Sequence, residues 1–266
     1  LITGAAGSIG SEMVRQVARF KPSRMILIDQ AETPMHDIRL MMSKKYSDID
    51  NLTIVTSIAN KRHMEKIFAE YRPEYVFHAA AYKHVPMMED DPAIAVQNNI
   101  YGTRVIADLA VKYGTKKFVM ISTDKAVNPT NVMGCSKRIC EIYCQSLSQA
   151  IQAGKVQGVT QFVTTRFGNV LGSNGSVIPI FKEQIANGGP VTVTHPDIIR
   201  FFMLIPEACK LVLEAGTMGK GGEIFVFDMG KPVKIVDLAK RMIQLSGATN
   251  VEIKFTGLRD GEKLYE

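Results

Sequence analysis

The sequence opens with LITGAAGSIG (residues 1–10), in which glycine recurs at positions 4, 7 and 10 directly after a short apolar stretch. A tight turn from a strand into a helix directs the free N–H groups of the helix towards a phosphate, which the helix dipole also favours. A side chain at Gly4 or Gly7 would keep the backbone away from a pyrophosphate, and one at Gly10 would push the helix off its strand. The spacing GxxGxxG therefore predicts a dinucleotide-binding turn, with an ordinary strand-to-helix turn as the alternative.

Apolar strands and amphipathic helices alternate after this turn, and the strands read RMILID, LTIV, YVFHAA, KFVMIS and QFVTTRF. One of the predicted helices runs from Pro92 to Tyr113. Continuous apolar strands separated by helices are typical of a parallel sheet covered on both faces. From Gly168 the sequence changes to GNVLGSNGSVIP and then to shorter elements, among them a predicted strand RFFML. We therefore predict an α/β fold: a Rossmann-like doubly wound parallel sheet over residues 1–167 and a smaller C-terminal α/β substrate-binding lobe over 168–266. Some segments of the lobe are expected to return to the sheet.

The composition is that of a soluble globular protein, with 46% hydrophobic and 22% charged residues among 266. No apolar run approaches the roughly 20 residues that span a bilayer, and no signal peptide opens the sequence. The stretch LIT is short for a first strand, so we expect further residues upstream. Four cysteines in predicted helices and five histidines without a ligand spacing indicate a reducing compartment and no metal site.

The formal net charge is +6, and the basic residues are dispersed along the chain. Nucleic acid is one class of partner that such a charge allows, but no dense basic run supports it. A small anionic substrate explains the excess equally well, so we expect no nucleic-acid partner.

Asp29 ends the second predicted strand, about 20 residues after the glycine turn, where an acid accepts hydrogen bonds from the adenosine ribose. A carboxylate there repels a 2′-phosphate, so NAD is favoured over NADP, and a helix cap is the alternative role for Asp29. The predicted cofactor site joins residues at the carboxyl ends of the strands: Gly4, Gly7, Ser8, Ile9, Gly10, Asp29, Ser57, Ile58, Ala79, Ala80 and Ala81.

The central stretch STDKAVNPTNVMGCSK (residues 122–137) places Met133 and Lys137 four residues apart, on one face of a predicted helix. Together with the glycine spacing, it resembles the extended short-chain dehydrogenase/reductase family, in which a Ser or Thr, a Tyr and a Lys form the catalytic group. By that resemblance Lys137 holds the nicotinamide ribose and Thr123 binds the sugar hydroxyl that is oxidised. Met133 stands where the family has its tyrosine, and a thioether cannot accept a hydroxyl proton.

Asp124 and Lys125 follow Thr123 directly, and dTDP-glucose 4,6-dehydratases of the same family carry Thr, Asp and Glu at the equivalent place. A 4,6-dehydratase oxidises C4 of a hexose, which makes the C5 proton acidic, then eliminates water across C5 and C6 and reduces C6. We therefore predict that Asp124 is the acid and Lys125 the base, and that Thr123, Met133 and Lys137 complete the catalytic group. A surface salt bridge is the alternative for the Asp124–Lys125 pair.

Longer stretches give a closer match, among them HAAAYKHVPMMEDDPAIAVQNNIYGT (78–103), TTRFGNVLGSNGSVIPIFKEQI (164–185), GGPVTVTHPDIIRFFM (188–203) and FTGLRDGEK (255–263). With the central stretch they resemble the CapD-like polysaccharide-biosynthesis UDP-N-acetylglucosamine 4,6-dehydratases over the whole chain. The Met-for-Tyr change matches the membrane-anchored branch of that group. The resemblance implies NAD as cofactor, UDP-N-acetylglucosamine as substrate, and a cytoplasmic domain anchored only through a segment outside this sequence. It also implies a homo-oligomer and a role in capsule, O-antigen or glycoprotein glycan synthesis.

The same resemblance assigns residues to the UDP-sugar. They are Lys83, His84, Asn169, Ser176, Val177, Arg200 and Arg259, with surface or turn roles as the alternatives. Asn99 matches an asparagine that supports the site through the backbone, and ordinary helix packing is its alternative.

Two other functions stay open at this point. A UDP-sugar C4 epimerase would share the fold, the cofactor and the nucleotide, but it needs no acid and base at C5 and C6. A non-catalytic NAD-binding protein is suggested by Met133.

Overall fold

The computed structural model describes residues 1–266, which form thirteen strands and ten α-helices. The strands are β1 Ile2–Thr3, β2 Arg24–Asp29, β3 Asp50–Val55, β4 Tyr75–His78, β5 Lys117–Ile121, β6 Gln161–Arg166, β7 Asn169–Val170, β8 Val191–Val193, β9 Ile199–Arg200, β10 Phe202–Met203, β11 Ile224–Val226, β12 Val233–Lys234 and β13 Ile253–Phe255. The helices are α1 Ser8–Ala18, α2 Glu32–Lys45, α3 Lys61–Tyr71, α4 Val85–Asp90, α5 Pro92–Ala95, α6 Gly102–Lys112, α7 Val132–Gln152, α8 Val177–Ala186, α9 Ile205–Met218 and α10 Ile235–Ser246.

Seven strands form one parallel sheet in the order β11-β6-β5-β4-β1-β2-β3. The chain runs outward from β1 to β3 and then returns to place β4 on the other side of β1. In a doubly wound sheet, ligands bind outside the carboxyl ends of the strands where the strand order reverses. The predicted doubly wound α/β fold is confirmed, and its reversal lies at the glycine turn after β1.

Two apolar cores cover the faces of the sheet. One packs α1, α2 and α9 against it through residues such as Met13, Met35 and Val212, and the other packs α3, α6 and α7 through Phe68, Ile106 and Cys144. The strands are apolar on both sides because both faces are buried, which explains why they read as continuous apolar runs in the sequence.

A smaller core holds the C-terminal part together, around Phe181, Val191, Val193, Ile198, Ile235 and Ala239. It lies between α8, α10 and the parallel pair β8 and β13. Two elements of this part belong to the main sheet instead: β11 pairs with β6, and α9 packs against β5 and β6. The chain therefore passes between the two parts more than once.

Three elements differ from the sequence-based expectation. RFFML is not one strand, because β9 pairs antiparallel with β12 whereas β10 pairs parallel with β7, so the chain changes partner at Phe201. The predicted helix from Pro92 to Tyr113 contains a π-helical segment, Val96–Tyr101, between α5 and α6. The stretch LIT does supply a strand: Ile2 and Thr3 pair with β2 on one side and β4 on the other.

A buried ion cluster fixes α7 against the sheet. The side chain of Glu141 has no exposed surface, accepts hydrogen bonds from Ser122 Oγ at 2.6 Å and Arg166 Nε at 2.7 Å, and pairs with Arg138 at 3.0 Å. Burial alone would raise the pKa of Glu141, but the hydrogen bonds from Arg166, Ser122 and Arg138 outweigh it and lower the pKa. The cluster ties the helix that carries Lys137 to the ends of β5 and β6.

None of the helices combines the length and the apolar character that a membrane crossing needs.

His78 is completely buried at the end of β4 and joins a threonine of the neighbouring strand β1 to one at the start of α6. Its Nδ1 lies 2.7 Å from Thr3 Oγ1 and its Nε2 lies 2.8 Å from Thr103 Oγ1. Burial, reinforced by the charge of Lys137, lowers the pKa of His78 to about 3 from an ordinary 6.5. The imidazole is therefore neutral in the folded protein at all but acidic pH.

We expect His78→Gln to weaken the pH dependence of stability. Below its ordinary pKa of 6.5 the unfolded chain binds a proton that folded His78 refuses until about pH 3. As the pH is lowered through this window, His78 alone therefore reduces the free energy of unfolding of the wild-type protein by about 1.4 kcal/mol per pH unit. Glutamine reaches both threonines without titrating, so urea unfolding between about pH 7 and about pH 5 should give a flatter profile. Equal slopes for wild type and variant would contradict this account.

Candidate active site

A groove of about 850 Å³ runs along the carboxyl ends of the sheet strands and widens between the sheet and the C-terminal part. It brings together all but one of the residues predicted for the cofactor, the substrate and the catalytic group. The exception is Asp124, which contacts Thr123 and Lys125 but is not itself among the lining residues.

The glycine turn forms the floor of the groove through close backbone contacts. Gly4 has φ +68°, and a Cβ on it would lie 2.6 Å from the amide nitrogen of Ala80. A Cβ on Gly10 would lie 1.8 Å from the carbonyl oxygen of Gly4, whereas one on Gly7 would stay 3.3 Å from that oxygen. Gly10 thus lets α1 start directly on the turn, and Gly4 lets the turn touch the end of β4.

The first turn of α1 faces the groove without a side-chain cap. Its N-cap residue, Gly7, has no side chain to accept the free N–H groups of the following residues, which include Ser8 and Ile9. Those N–H groups and the positive end of the helix dipole favour an anion at this point.

Asp29 stands at the end of β2 and organises two backbone segments. Its Oδ2 accepts a hydrogen bond from Ala6 N at 3.1 Å and its Oδ1 accepts one from Ala31 N at 3.0 Å. Each carboxylate oxygen keeps a further lone pair, so Asp29 can still accept from a ribose hydroxyl in the groove. Ser57, Ile58 and the stretch 79–81 line the same end of the groove.

Asn99, on the π-helical segment, clamps the loop after β4. Its Oδ1 accepts from Tyr82 N at 2.8 Å, and its Nδ2 donates to Tyr82 O at 3.0 Å and to Ser136 Oγ at 3.0 Å. Asn99 is 1% exposed, so the clamp is part of the core rather than of the groove surface. It joins the loop that carries Lys83 and His84 to α7.

Thr123, Asp124 and Lys125 form a hydrogen-bonded set at the end of β5. Thr123 Oγ1 donates to Asp124 Oδ1 at 2.9 Å, and Lys125 Nζ lies 3.2 Å from the same oxygen. The other carboxylate oxygen, Asp124 Oδ2, is buried without a partner, where a Cβ on Gly168 would lie 2.8 Å away. Lys125 and Thr123 line the groove, and Asp124, whose side chain is as exposed as that of Lys125, contacts both of them.

Lys137 and Met133 lie side by side on α7 with 6% and 4% of their surface exposed. Burial lowers the pKa of Lys137, and its ammonium makes no hydrogen bond or ion pair within the protein. A buried, unpartnered ammonium that lines a groove is ready to bind hydroxyl groups of a ligand. Met133 packs against Met88 and Ala95.

The substrate residues predicted from the sequence ring the wide part of the groove. Burial lowers the pKa of Lys83, whose Nζ donates to Asn174 O at 2.9 Å, and burial together with Lys83 lowers the pKa of His84. Ser176, at the start of α8, has a buried hydroxyl oxygen without a partner, and Val177 follows it. Asn169 Oδ1 lies 3.5 Å from Lys125 Nζ.

The two arginines predicted to bind a diphosphate differ in their surroundings. Arg200 is 8% exposed, donates to Ile199 O at 2.7 Å, and pairs with Glu266 at 3.3 Å and Glu262 at 3.6 Å. Arg259 is exposed, lines the groove and has no side-chain partner. Arg259 is therefore free for an anion, whereas Arg200 already holds two carboxylates.

Sequence reasoning missed Glu266, Glu89 and Asn131. Glu266 contacts Lys125, Glu89 Oε1 accepts from Val132 N at 2.7 Å, and the side chain of Asn131 caps α7 by accepting from Gly134 N at 2.7 Å. Asn131 had a usable signal, because asparagine directly before an apolar helix is a typical N-cap. Glu89 and Glu266 act over long sequence separations that no local pattern reveals. No group of three or more His, Cys, Asp or Glu residues is placed to hold a metal ion.

The residues of the narrow part fit an NAD dinucleotide. The uncapped start of α1 suits a pyrophosphate, the Asp29 carboxylate suits the adenosine ribose, and the unpartnered ammonium of Lys137 suits the second ribose. The fold and this groove define a dinucleotide-binding α/β protein of the Rossmann type.

Comparison with known proteins places the chain more narrowly. It belongs to the family described as polysaccharide biosynthesis protein, which matches residues 1–266. It is 54% identical over 269 residues to the capsular polysaccharide biosynthesis protein CapD of Staphylococcus aureus, covering 100% of this chain and 44% of that protein. It is 36% identical over 275 residues to a UDP-glucose 4-epimerase of Rickettsia akari, covering 100% of this chain and 76% of that protein. The predicted membership of the CapD-like family is confirmed.

Solved structures share the fold. Pen from Bacillus thuringiensis superimposes with a TM-score of 0.91 at 33% identity, covering 99% of this chain and 78% of that one. A double mutant of DesIV, a dTDP-glucose 4,6-dehydratase from Streptomyces venezuelae with NAD and DAU bound, gives 0.85 at 19% identity, covering 99% and 86%. At that identity the likeness to DesIV concerns the fold alone. The chain spans less than half the length of CapD.

We expect Gly10→Ala to destabilise the protein by about 3 kcal/mol, because its Cβ would overlap the Gly4 carbonyl by far more than a core can absorb. The loss should outweigh the gain of up to about 1 kcal/mol in helix propensity that alanine brings. Gly7→Ala is the matched control, since its Cβ would lie 3.3 Å from the Gly4 oxygen, a contact that a shift of a few tenths of an ångström relieves. We expect a change within about 1 kcal/mol for this variant. Urea unfolding of both variants measures this, and equal stabilities would contradict the assigned packing.

Proposed function

We propose that the protein is an NAD-dependent UDP-N-acetylglucosamine 4,6-dehydratase, a hydro-lyase that oxidises C4, eliminates water across C5 and C6, and reduces C6. The observation that carries the proposal is the set of Thr123, Asp124 and Lys125, joined by hydrogen bonds of 2.9 and 3.2 Å. Thr123 and Lys125 line the groove together with Lys137. An acid and a base beside a hydroxyl-binding threonine are the groups that the elimination needs. The product would be UDP-2-acetamido-2,6-dideoxy-α-D-xylo-hexos-4-ulose, for bacterial capsule, O-antigen or glycoprotein glycan synthesis.

Bound NAD supplies the oxidant for C4 and afterwards the reductant for C6. Lys137 holds the nicotinamide ribose, and Asp29 accepts from the adenosine ribose. The sugar lies in the wide part of the groove, with Arg259 as the free cation for the diphosphate and Lys83, His84, Asn169 and Ser176 around it. The positive side chains of Lys83 and Arg259 suit this substrate because its diphosphate is anionic.

The contact between Thr123 and Asp124 offers a route for the proton that the family tyrosine would take. A hydroxyl that donates to Asp124 Oδ1 at 2.9 Å can accept from the C4 hydroxyl of the sugar. As C4 is oxidised, its hydroxyl proton passes through Thr123 to the carboxylate of Asp124. Met133 takes no part in this transfer and serves as an apolar wall.

The remaining protons balance on Asp124 and Lys125. Lys125, as an amine, removes the C5 proton while Asp124 gives its new proton to the C6 hydroxyl, which leaves as water. When C6 has been reduced, Lys125 returns a proton to C5. Asp124 ends as a carboxylate and Lys125 as an amine, so the protein is unchanged after one turnover.

The experiment that tests the proposal is an NMR assay of purified protein with UDP-N-acetylglucosamine and no added cofactor. A 4-keto-6-deoxy sugar nucleotide is the expected product. Accumulation of UDP-N-acetylgalactosamine would instead make the protein a C4 epimerase, a function that its similarity to UDP-glucose 4-epimerases favours. No turnover at any protein concentration, with NAD still bound, would make it a non-catalytic NAD-binding protein.

We expect Lys125→Ala to abolish exchange of the C5 proton with deuterium oxide solvent, because no other amine lies beside Asp124. NAD should remain bound, since the cofactor residues are untouched, and absorbance of the extracted dinucleotide measures it. Lys116→Ala is the matched control, because Lys116 pairs with Glu74 on the exposed surface. If C5 exchange persisted in Lys125→Ala, Lys125 would not be the base.

We expect Asp29→Ala to weaken NAD binding by about 10- to 100-fold, the value of charge-assisted hydrogen bonds to a ribose. NADP binding should fall less, because the carboxylate that repels a 2′-phosphate is also removed. Asp29→Asn keeps an oxygen acceptor in a side chain of the same shape, so its affinity for NAD should lie between those of the wild type and Asp29→Ala. Calorimetric titration of each variant with both dinucleotides measures this, and equal losses would exclude a ribose contact.

A further inference from the structure

Residues 257–266 are fastened to the loop that leads into α7. Gly261 O accepts from Thr130 Oγ1 at 3.0 Å and Asn131 Nδ2 at 3.1 Å, and Lys263 Nζ donates to Val127 O at 2.7 Å and Asn128 O at 2.6 Å. This loop begins at the Thr123–Lys125 set and ends at Asn131, the N-cap of α7. Residues 257–266 are therefore held directly against the candidate reaction centre.

The same segment is held on its other side by β9. Ile199 N donates to Leu264 O at 3.1 Å, and Arg200 Nη1 lies 3.3 Å from the same carbonyl oxygen. These contacts on two sides place Glu266 between β9 and the Thr123–Lys125 set.

The side chain of Glu266 is 5% exposed and makes two ionic contacts through one oxygen. Its Oε2 accepts from Lys125 Nζ at 2.6 Å and lies 3.3 Å from Arg200 Nε. The contact with Lys125 is shorter than the 3.2 Å between Lys125 and Asp124. A carboxylate out of water is costly unless cations compensate it, and here one cation lines the groove and the other is fixed on β9.

We propose that Glu266 is a positioning residue that holds Lys125 in place for proton transfer at C5, an inference that rests on the proposed function. Lys125 has three N–H donors as an ammonium, and two donors with one electron pair after it gives up a proton. Glu266 and Asp124 accept from two of the N–H groups, so the third position on Nζ, beside Asn169 Oδ1 at 3.5 Å on the groove, is the one that exchanges a proton with C5. Arg200 then serves to anchor Glu266, which explains why a buried arginine on the groove wall is already occupied by carboxylates.

The kinetic test compares Glu266→Gln with Glu262→Gln. Glutamine keeps the volume of Glu266 but removes the charge, so we expect exchange at C5 to fall about tenfold, the equivalent of one charge-assisted hydrogen bond. C4 oxidation depends on Thr123, Asp124 and Lys137 and should continue, so the oxidised but undehydrated hexose should accumulate in quenched single-turnover samples. The KM for UDP-N-acetylglucosamine should stay within about twofold, because a positioning residue for Lys125 affects the chemical step.

Glu262 is the matched control because it shares the segment and Arg200 without touching Lys125. It pairs with Arg200 at 3.6 Å and accepts from Thr194 Oγ1 at 3.1 Å and Arg259 N at 3.1 Å. Glu262→Gln should show no accumulation of the oxidised hexose. Glu266→Asp, which keeps the charge on a shorter side chain, should recover part of the C5 exchange rate. Loss of C4 oxidation together with C5 exchange in Glu266→Gln would indicate a structural role and overturn the proposal.

A second readout needs no substrate. In wild-type protein the ion pairs should protect Lys125 from acetylation by acetic anhydride, followed by peptide mass spectrometry. Glu266→Gln removes this ion pair, so Lys125 should be labelled several-fold faster than in the wild type. Glu266→Asp keeps the charge and should give an intermediate rate. Labelling in Glu262→Gln should match wild type. Unchanged labelling of Lys125 in Glu266→Gln overturns the proposal, even if the wild-type protein proves to make no ketosugar and the proposed function fails.

Discussion

The close approach of α1 to the glycine turn is the constraint on which the site depends. Because nothing but hydrogen separates Gly10 from the Gly4 carbonyl, the helix starts at the very edge of the sheet, where its free N–H groups open onto the groove. Gly4 in turn lies against Ala79 and Ala80 at the end of β4. Asp29 then fixes the turn from the other side through Ala6. The narrow part of the groove is thus defined by backbone contacts that any larger residue would disrupt.

The reaction centre is built differently, from side chains that belong to distant parts of the chain. Glu141 joins α7 to β5 and β6, and Asn99 joins α7 to the loop after β4. Around Lys125, the sheet supplies Asp124 and the C-terminal part supplies Glu266. The attraction between neighbouring positive and negative side chains compensates the free energy that each loses on leaving water, so these charged groups can lie close together with little exposure.

Much of the fold could be predicted from the sequence because its signals are local. The bounds of β2 match the apolar run RMILID. Most of the predicted cofactor residues followed from one rule, that parallel strands end at a common edge, whereas the substrate residues and Lys137 came from the resemblance to a known family. Glu266 escaped prediction because its partner Lys125 lies 141 positions earlier in the chain. The unpartnered Oδ2 of Asp124 also escaped, because its surroundings are set by residues distant in the chain such as Gly168.

The π-helical segment Val96–Tyr101 has a consequence for the register of everything after it. A π turn takes up one residue more than an α turn, so α6 is rotated by about 100° from the course of an uninterrupted helix. That offset lets Asn99 reach Tyr82 and Ser136 while Ile106 and Ala110 still point into the core. Deleting a single residue from the segment would therefore give a regular helix. Such a helix could keep either the Asn99 hydrogen bonds or the burial of Ile106 and Ala110, but not both.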